Sequence, residues 1–282
     1  MSDPKIGLAL GGGAARGLAH IEMLHAFDDL GIKPAVLSGC SAGSLVAAGY
    51  AAGMSAAEIE DHARSRLSNR LDAMRLMVSS RTGSMLDFVS LKGFGSLQID
   101  GKAIVQFALP SSVPDLIEEL AIPLLIVATD YAAMSEKVFR SGPLRQAIAA
   151  SVAIPGIIDG PAISGRLMID GGMTNPVPFD ILKPLADIVI AVDVTGRPST
   201  GKGKHPSNME LGIGGMVITF HQIAALKRKI DPPDFYFQPP VEQFQAHEFF
   251  HLNEILEAAR PSRDALKRSL EDIVNSRIKS GA

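Results

Sequence analysis

The first fifty residues repeat one unit: a short apolar run, a turn of glycine and other small residues, and a helical pattern. In "KIGLALGGGAARGLAHIEMLHAFDDLG" the run 5–10 enters three glycines. Leu18, Ile21, Leu24 and Phe27 then recur at helical spacing until Gly31 closes the helix. "KPAVLSG" is a second strand, which enters "CSAGS" and the small-residue helical pattern "LVAAGYAAG". Further strands are expected in "IPLLIVATD" and "ADIVIAVDV", with shorter ones in "KVFR" and "RLMID" and another in "DFYFQP". Continuous apolar strands that alternate with helices imply an α/β fold whose mostly parallel sheet is covered on both faces.

Residues 67–110, rich in Met, Phe and Leu but also in Gly and Ser, break this rhythm and are expected to form either a cap or ordinary helices and loops on the sheet. Residues 196–208, "GRPSTGKGKHPSN", have the composition of a loop. Neither an internal repeat nor a domain boundary stands out, so one domain is expected across 1–282.

Hydrophobic residues at 46% and charged residues at 20% place the chain among globular proteins, and a net charge of −3 offers no electrostatic basis for binding nucleic acid. The lone Cys40 excludes an intrachain disulfide framework and a cysteine zinc site and suits a reducing, cytoplasmic compartment. The apolar run near the N-terminus is interrupted by glycines and Arg16, so no signal peptide is expected there. With no window of about 18 apolar residues, any membrane contact is expected to be peripheral.

Gly39-Cys40-Ser41-Ala42-Gly43 has the spacing of a nucleophile elbow and the strand-to-helix context such a turn requires. A serine hydroxyl needs a base in reach and donors that meet the oxyanion. The segment "GGGAARG" suits the second need: its glycines let backbone approach a ligand, the following helix adds free N–H groups, and Arg16 can brace the loop. A dinucleotide loop is the competing use. However, Arg16 occupies the third glycine position of that fingerprint, and no Gly-Lys-Ser/Thr follows for a Walker loop.

Two kinds of base are open at this point. His205, His221, His247 and His251 follow the serine, as a histidine-dependent esterase would require. Alternatively, Asp170, which ends the apolar run "RLMID" at the Gly171-Gly172 turn, is a carboxylate that burial could tune toward neutral pH. An Asp-Gly pair also serves simply as a turn cap. His247 and His251, four apart in "HEFFH" on a candidate helix, have a metal-ligand spacing, but two ligands do not make a zinc site.

Taken together and in this order, "GGGAARG", "GCSAG" and "DGG" resemble the patatin-like phospholipases, specifically their compact bacterial members. The likeness extends through "FRSGPLRQAIAASVAIPGIIDGPAISGRLMIDGGMTNPVP", residues 139–178, and "ATD" at 128–130. It implies a three-layer α/β/α sandwich and an acyl hydrolase of lipid or other carboxylic esters, working without cofactor or metal. It also implies Ser41 as nucleophile, Asp170 as base, and an oxyanion hole from Gly12 and Gly13 with Arg16 at its basic position. In one departure, the third family glycine counted back from Arg16-Gly17 falls on Ala14. Cys40, beside the nucleophile, is expected to be a packing residue.

Overall fold

The computed structural model describes residues 4–68, 81–82, 98–198 and 205–280. The strands are β1 (Ile6–Leu10), β2 (Val36–Cys40), β3 (Arg81–Thr82), β4 (Gln98–Asp100), β5 (Leu124–Asp130), β6 (Ser135–Phe139), β7 (Ile158–Asp159), β8 (Ala162–Ile163), β9 (Arg166–Asp170), β10 (Ile188–Val192) and β11 (Phe235–Phe237). The helices are α1 (His20–Asp29), α2 (Ala42–Ala51), α3 (Ala56–Ser68), α4 (Gly101–Ala108), α5 (Leu144–Ser151), α6 (Asn208–Ile230) and α7 (Leu252–Ser280). All seven strands expected from the sequence are present. Of the segment 67–110, residues 69–80 and 83–97 lie outside the described residues, as do 199–204 of the loop at 196–208. Residues 98–108 form β4 and α4.

The central sheet runs β11-β10-β1-β2-β5 with every neighbour parallel. β6 joins the outer edge of β5 antiparallel, β9 pairs antiparallel with β5 beyond the end of β2, and β8 pairs with β9. The strands read as unbroken apolar runs because alternate residues feed two cores. On one face Leu8, Leu10, Leu37, Leu124, Ile126, Ile190 and Val192 pack with Ile21, Leu24 and Phe27 of α1 and with Ile255 and Leu266 of α7. On the other, Ala9, Val36, Leu125, Val189 and Ala191 pack with Phe179, Leu182 and Ala224 of α6. Helices therefore cover both faces, giving the expected three layers.

Helix α7 is fastened to α1 by more than apolar contact. The buried Glu22 carboxylate accepts from Arg263 at 3.0 Å, and Arg263 also donates to Asp29 at 2.8 Å.

Small residues let α2 lie against the C-terminal end of β1. A Cβ on Gly43 would come 2.1 Å from the Leu10 carbonyl oxygen, one on Gly17 would meet the Ala42 Cβ at 2.5 Å, and one on Gly39 would meet the Ser44 Cα at 2.5 Å. Because Gly43 faces backbone rather than a movable side chain, Gly43→Ala is expected to destabilise by about 2–3 kcal/mol, in the range of core overpacking. Urea unfolding of the variant and the parent measures the difference.

Candidate active site

β2 ends at Cys40 and α2 begins at Ala42, so Ser41 alone turns the chain from strand to helix. It does so at φ 50° and ψ −125°, a conformation that costs an L-residue of order 1–3 kcal/mol and that clusters at functional sites. Its side chain stands at the N-terminus of α2.

Strand register brings Asp170 to it. β2 runs parallel to β5 and ends with Cys40 opposite Val127. β9 runs antiparallel to β5 and ends with Asp170 opposite Ala128. β6 occupies the opposite edge of β5 over Ile126–Asp130, so β2 and β9 share one edge. The two strands therefore meet head-on, and their terminal turns, one carrying Ser41 and the other Asp170, adjoin between consecutive positions of β5.

Asp170 is almost fully buried, at 2% exposure. Its Oδ1 accepts from the Gly172 amide at 2.7 Å, while Oδ2 is buried without a hydrogen-bond partner among the described residues. Burial pushes the carboxyl up to about 6, against the opposing pull of the Ser41 hydroxyl and then of the Gly172 amide. Gly171 and Gly172 permit the turn: a Cβ on Gly171 would fall 2.2 Å from the Val127 carbonyl oxygen, and one on Gly172 would fall 2.7 Å from the Phe220 ring.

The glycine-rich loop passes beside the serine, where a Cβ on Gly12 would stand 3.2 Å from the Ser41 Cβ. The Gly12 N–H, expected to meet the oxyanion, is donated to the Pro176 carbonyl at 2.9 Å, just as Gly11 N–H is donated to Val192. Gly12 therefore serves close approach, and the amides of Gly13 and Ala14 are the ones without an acceptor among the described residues. Ala14 sits at φ 51°, so a side-chain residue holds a left-handed conformation where the family pattern has glycine.

Arg16 has the bracing role that its place in the loop allows. Its buried guanidinium donates to the carbonyls of Val194 (3.2 Å) and Phe244 (2.8 Å), bracing the loop from behind. Burial lowers its pKa to about 10, with Asp193 opposing, so it keeps its charge at neutral pH.

Two residues that the motifs did not single out support the same machinery. His20, fully buried at the start of α1, hydrogen-bonds the Gly11 carbonyl through Nε2 at 2.8 Å, which assigns the proton to that nitrogen. Burial pulls its pKa down to about 4, so it is neutral. Ser151 accepts the Ser41 backbone N–H at 2.8 Å. The only sequence signal for either is a polar residue on the buried face of a helix.

The downstream histidines are elsewhere. His221 bonds the Gly196 carbonyl at 2.6 Å, and His205, His247 and His251 are exposed. His247 and His251 precede α7 rather than riding on a helix, so the i, i+4 geometry expected for them does not form. Among the described residues no histidine hydrogen-bonds Ser41 or Asp170. Cys40 is fully buried, with burial raising its thiol well above the ordinary range, and its Sγ lies against Gly12 and Gly171.

Comparison with known proteins assigns the chain to a family. The pattern of the patatin-like phospholipases matches residues 8–183, which is more than half of the chain. This chain belongs to the patatin-like phospholipase family. An uncharacterized NTE family protein of Mycobacterium tuberculosis is 36% identical over 199 residues, covering 69% of this chain and 50% of that protein. The human patatin-like phospholipase domain-containing protein 6 is 26% identical over 288 residues, covering 89% of this chain and 19% of that one. The chain thus spans half or less of the length of these relatives. VipD from Legionella pneumophila shares the fold with a TM-score of 0.50 at 14% identity, over 95% of this chain and 67% of VipD.

Two stability effects follow from the site. A carboxyl whose pKa is raised from 3.8 to about 6 binds its proton more tightly folded than unfolded, so it costs stability at neutral pH and the cost disappears as pH falls toward 4. Asp170→Asn is expected to be more stable than the parent by about 2 kcal/mol at pH 8, a margin lost between pH 6 and 4 in urea melts across that range. Ala14→Gly, by relieving the left-handed alanine, is expected to stabilise by about 0.5–1 kcal/mol after the added unfolded-state entropy, in the same measurement.

Proposed function

We propose that this chain is a serine acyl hydrolase of lipid esters, of the phospholipase, lysophospholipase or carboxylesterase type, acting through a Ser41–Asp170 dyad and an acyl-enzyme. The observation that carries the reading is the meeting of a strained serine with a buried carboxylate, one oxygen of which lacks a partner and whose pKa lies near 6. The name of the related neuropathy target esterase of Drosophila melanogaster, 30% identical over 205 residues, supports ester chemistry.

In the proposed cycle Ser41 Oγ attacks the ester carbonyl carbon as its proton passes to Asp170. The amides of Gly13 and Ala14, together with the positive end of α2, meet the oxygen that becomes negative. The C–O bond to the alcohol breaks, and the alcohol leaves with the proton from Asp170. Water then attacks the acyl-enzyme, gives a proton to Asp170, and releases the carboxylic acid as that proton returns to Ser41. A base with a pKa near 6 is ionised at neutral pH yet remains basic enough to accept the proton.

A lipid substrate is supported by α6. Leu211, Ile218, Leu226 and Ile230 are exposed on this helix, while its Phe220 packs against Gly172 in the catalytic turn. An apolar outer surface on a helix that also reaches the Asp170 turn suits peripheral contact with lipid; no helix among the described residues is long and apolar enough to cross a membrane. The ties from Glu22 to Arg263 and Asp29 to Arg263 support treating α7, beyond the family match, as part of one acyl-hydrolase domain.

Ser41→Ala and Asp170→Asn are each expected to reduce turnover of a p-nitrophenyl ester by at least about 1,000-fold while remaining folded. Retained turnover in either would overturn the dyad. Alanine at His205, His221, His247 or His251 is expected to leave turnover in place. For the parent, kcat/KM is expected to fall about tenfold per pH unit below about 6, as protonated Asp170 can no longer accept the serine proton.

A further inference from the structure

The hydrogen-bond ladder of β2 shows what the elbow interrupts. In a parallel pair, alternate N–H groups of one strand donate to the carbonyl preceding the partner residue. Leu37, opposite Leu124, accordingly donates to Pro123 at 2.9 Å. Carried four residues on, the same pattern assigns the Ser41 N–H to the Val127 carbonyl. The elbow turns Ser41 out of the strand, and the direct bond is not made. Instead the Ser41 N–H donates to Ser151 Oγ at 2.8 Å, and the Ser151 hydroxyl donates to the Val127 carbonyl at 2.6 Å. One hydroxyl is spliced into the ladder at the position where the strand opens.

Ser151 is fully buried and is the last residue of α5. Two residues on, the Ala153 carbonyl accepts the Asp170 backbone N–H at 2.8 Å. The C-terminal end of α5 therefore grips both sides of the site, Ser41 through a side chain and Asp170 through the main chain. We propose that Ser151 is a positioning residue that holds Ser41 in its strained conformation and, with the Ala153 carbonyl, sets the separation of Ser41 from Asp170. The inference rests on Ser41 being the nucleophile.

A hydroxyl is required because the splice must accept one hydrogen bond and donate another in a space closed to water. Alanine at 151 would leave both the Ser41 N–H and a lone pair of the Val127 carbonyl without that partner, and Ser41 would be free to relax away from φ 50°. Relaxation moves Oγ relative to Asp170, and misplacement on the scale of an ångström is costly to a reaction that depends on near-attack geometry.

The test is fluorophosphonate labelling of Ser41 in the full chain, followed by intact mass and peptide mapping across pH, for the parent, Ser151→Ala and Ser151→Thr, with melting temperatures recorded alongside. Labelling of the parent at Ser41 establishes the nucleophile; its absence would overturn the functional reading and the positioning role with it. Given labelling, Ser151→Ala is expected to react at least tenfold more slowly and to shift the acid midpoint of the rate upward, because a displaced Ser41 hydroxyl no longer lowers the Asp170 pKa. Ser151→Thr, which keeps the oxygen, is expected to restore both rate and midpoint. Folded Ser151→Ala that reacts at the parent rate with the parent midpoint would overturn the inference, as would Ser151→Thr being as slow as Ser151→Ala. If Ser151→Ala does not fold, the threonine variant decides: a parent-like rate and midpoint support the positioning role, and a slow rate overturns it.

Discussion

Everything at the site depends on the head-on meeting of β2 and β9 along one edge of β5. Cys40 opposite Val127 and Asp170 opposite Ala128 are neighbouring rungs, and they bring together two turns separated by 130 residues of sequence. The antiparallel direction of β9 is what makes this geometry available, because strands running toward each other end at the same point. The Val127 carbonyl lies at the junction, where it accepts the Ser151 hydroxyl and faces Gly171 at a distance that leaves no room for a side chain.

This junction holds two features that an isolated segment would not keep. Ser41 occupies a backbone region that L-residues avoid, and Asp170 places a carboxylate where water does not reach it. Such features persist only when their surroundings over-determine them. Those surroundings are hydrogen bonds that fix the main chain: Asp170 N–H to Ala153, Thr129 hydroxyl to the Asp170 carbonyl at 2.9 Å, and Gly12 N–H to Pro176. Behind the glycine loop, neutral His20 and charged Arg16 add hydrogen bonds to carbonyls of Gly11, Val194 and Phe244. These side chains shape the loop and leave Asp170 as the titrating group beside the serine.

The helices contribute through what they lack. Gly17, Gly39 and Gly43 remove the Cβ atoms that would separate α2 from the Leu10 carbonyl and from the turn before α1. Close approach brings the α2 N-terminus, Ser41 and the glycine loop into one space, with the amides of Gly13 and Ala14, which find no acceptor among the described residues, beside them. On the opposite face of the sheet α6 lies against the Asp170 turn through Phe220 and keeps Leu211, Ile218, Leu226 and Ile230 exposed on its outer side.

Seven of the strands and the first two helices were legible in the sequence, as were Ser41 in its elbow and the Asp170-Gly171-Gly172 turn, because apolar period and glycine placement are local properties of the chain. The helix expected around His247 and His251 did not form, since the stretch is turn up to Leu252 despite its spacing. What only the tertiary structure decided is which partner each group finds. That the Gly12 amide faces Pro176, that Arg16 turns to Val194 and Phe244, and that Ser151 reaches Ser41 are matters of register between segments more than a hundred residues apart. Local conformational preference sets where a turn forms, but hydrogen-bond direction and burial arise only when distant strands lock side by side, and these are what raise the Asp170 carboxyl into the range of a base.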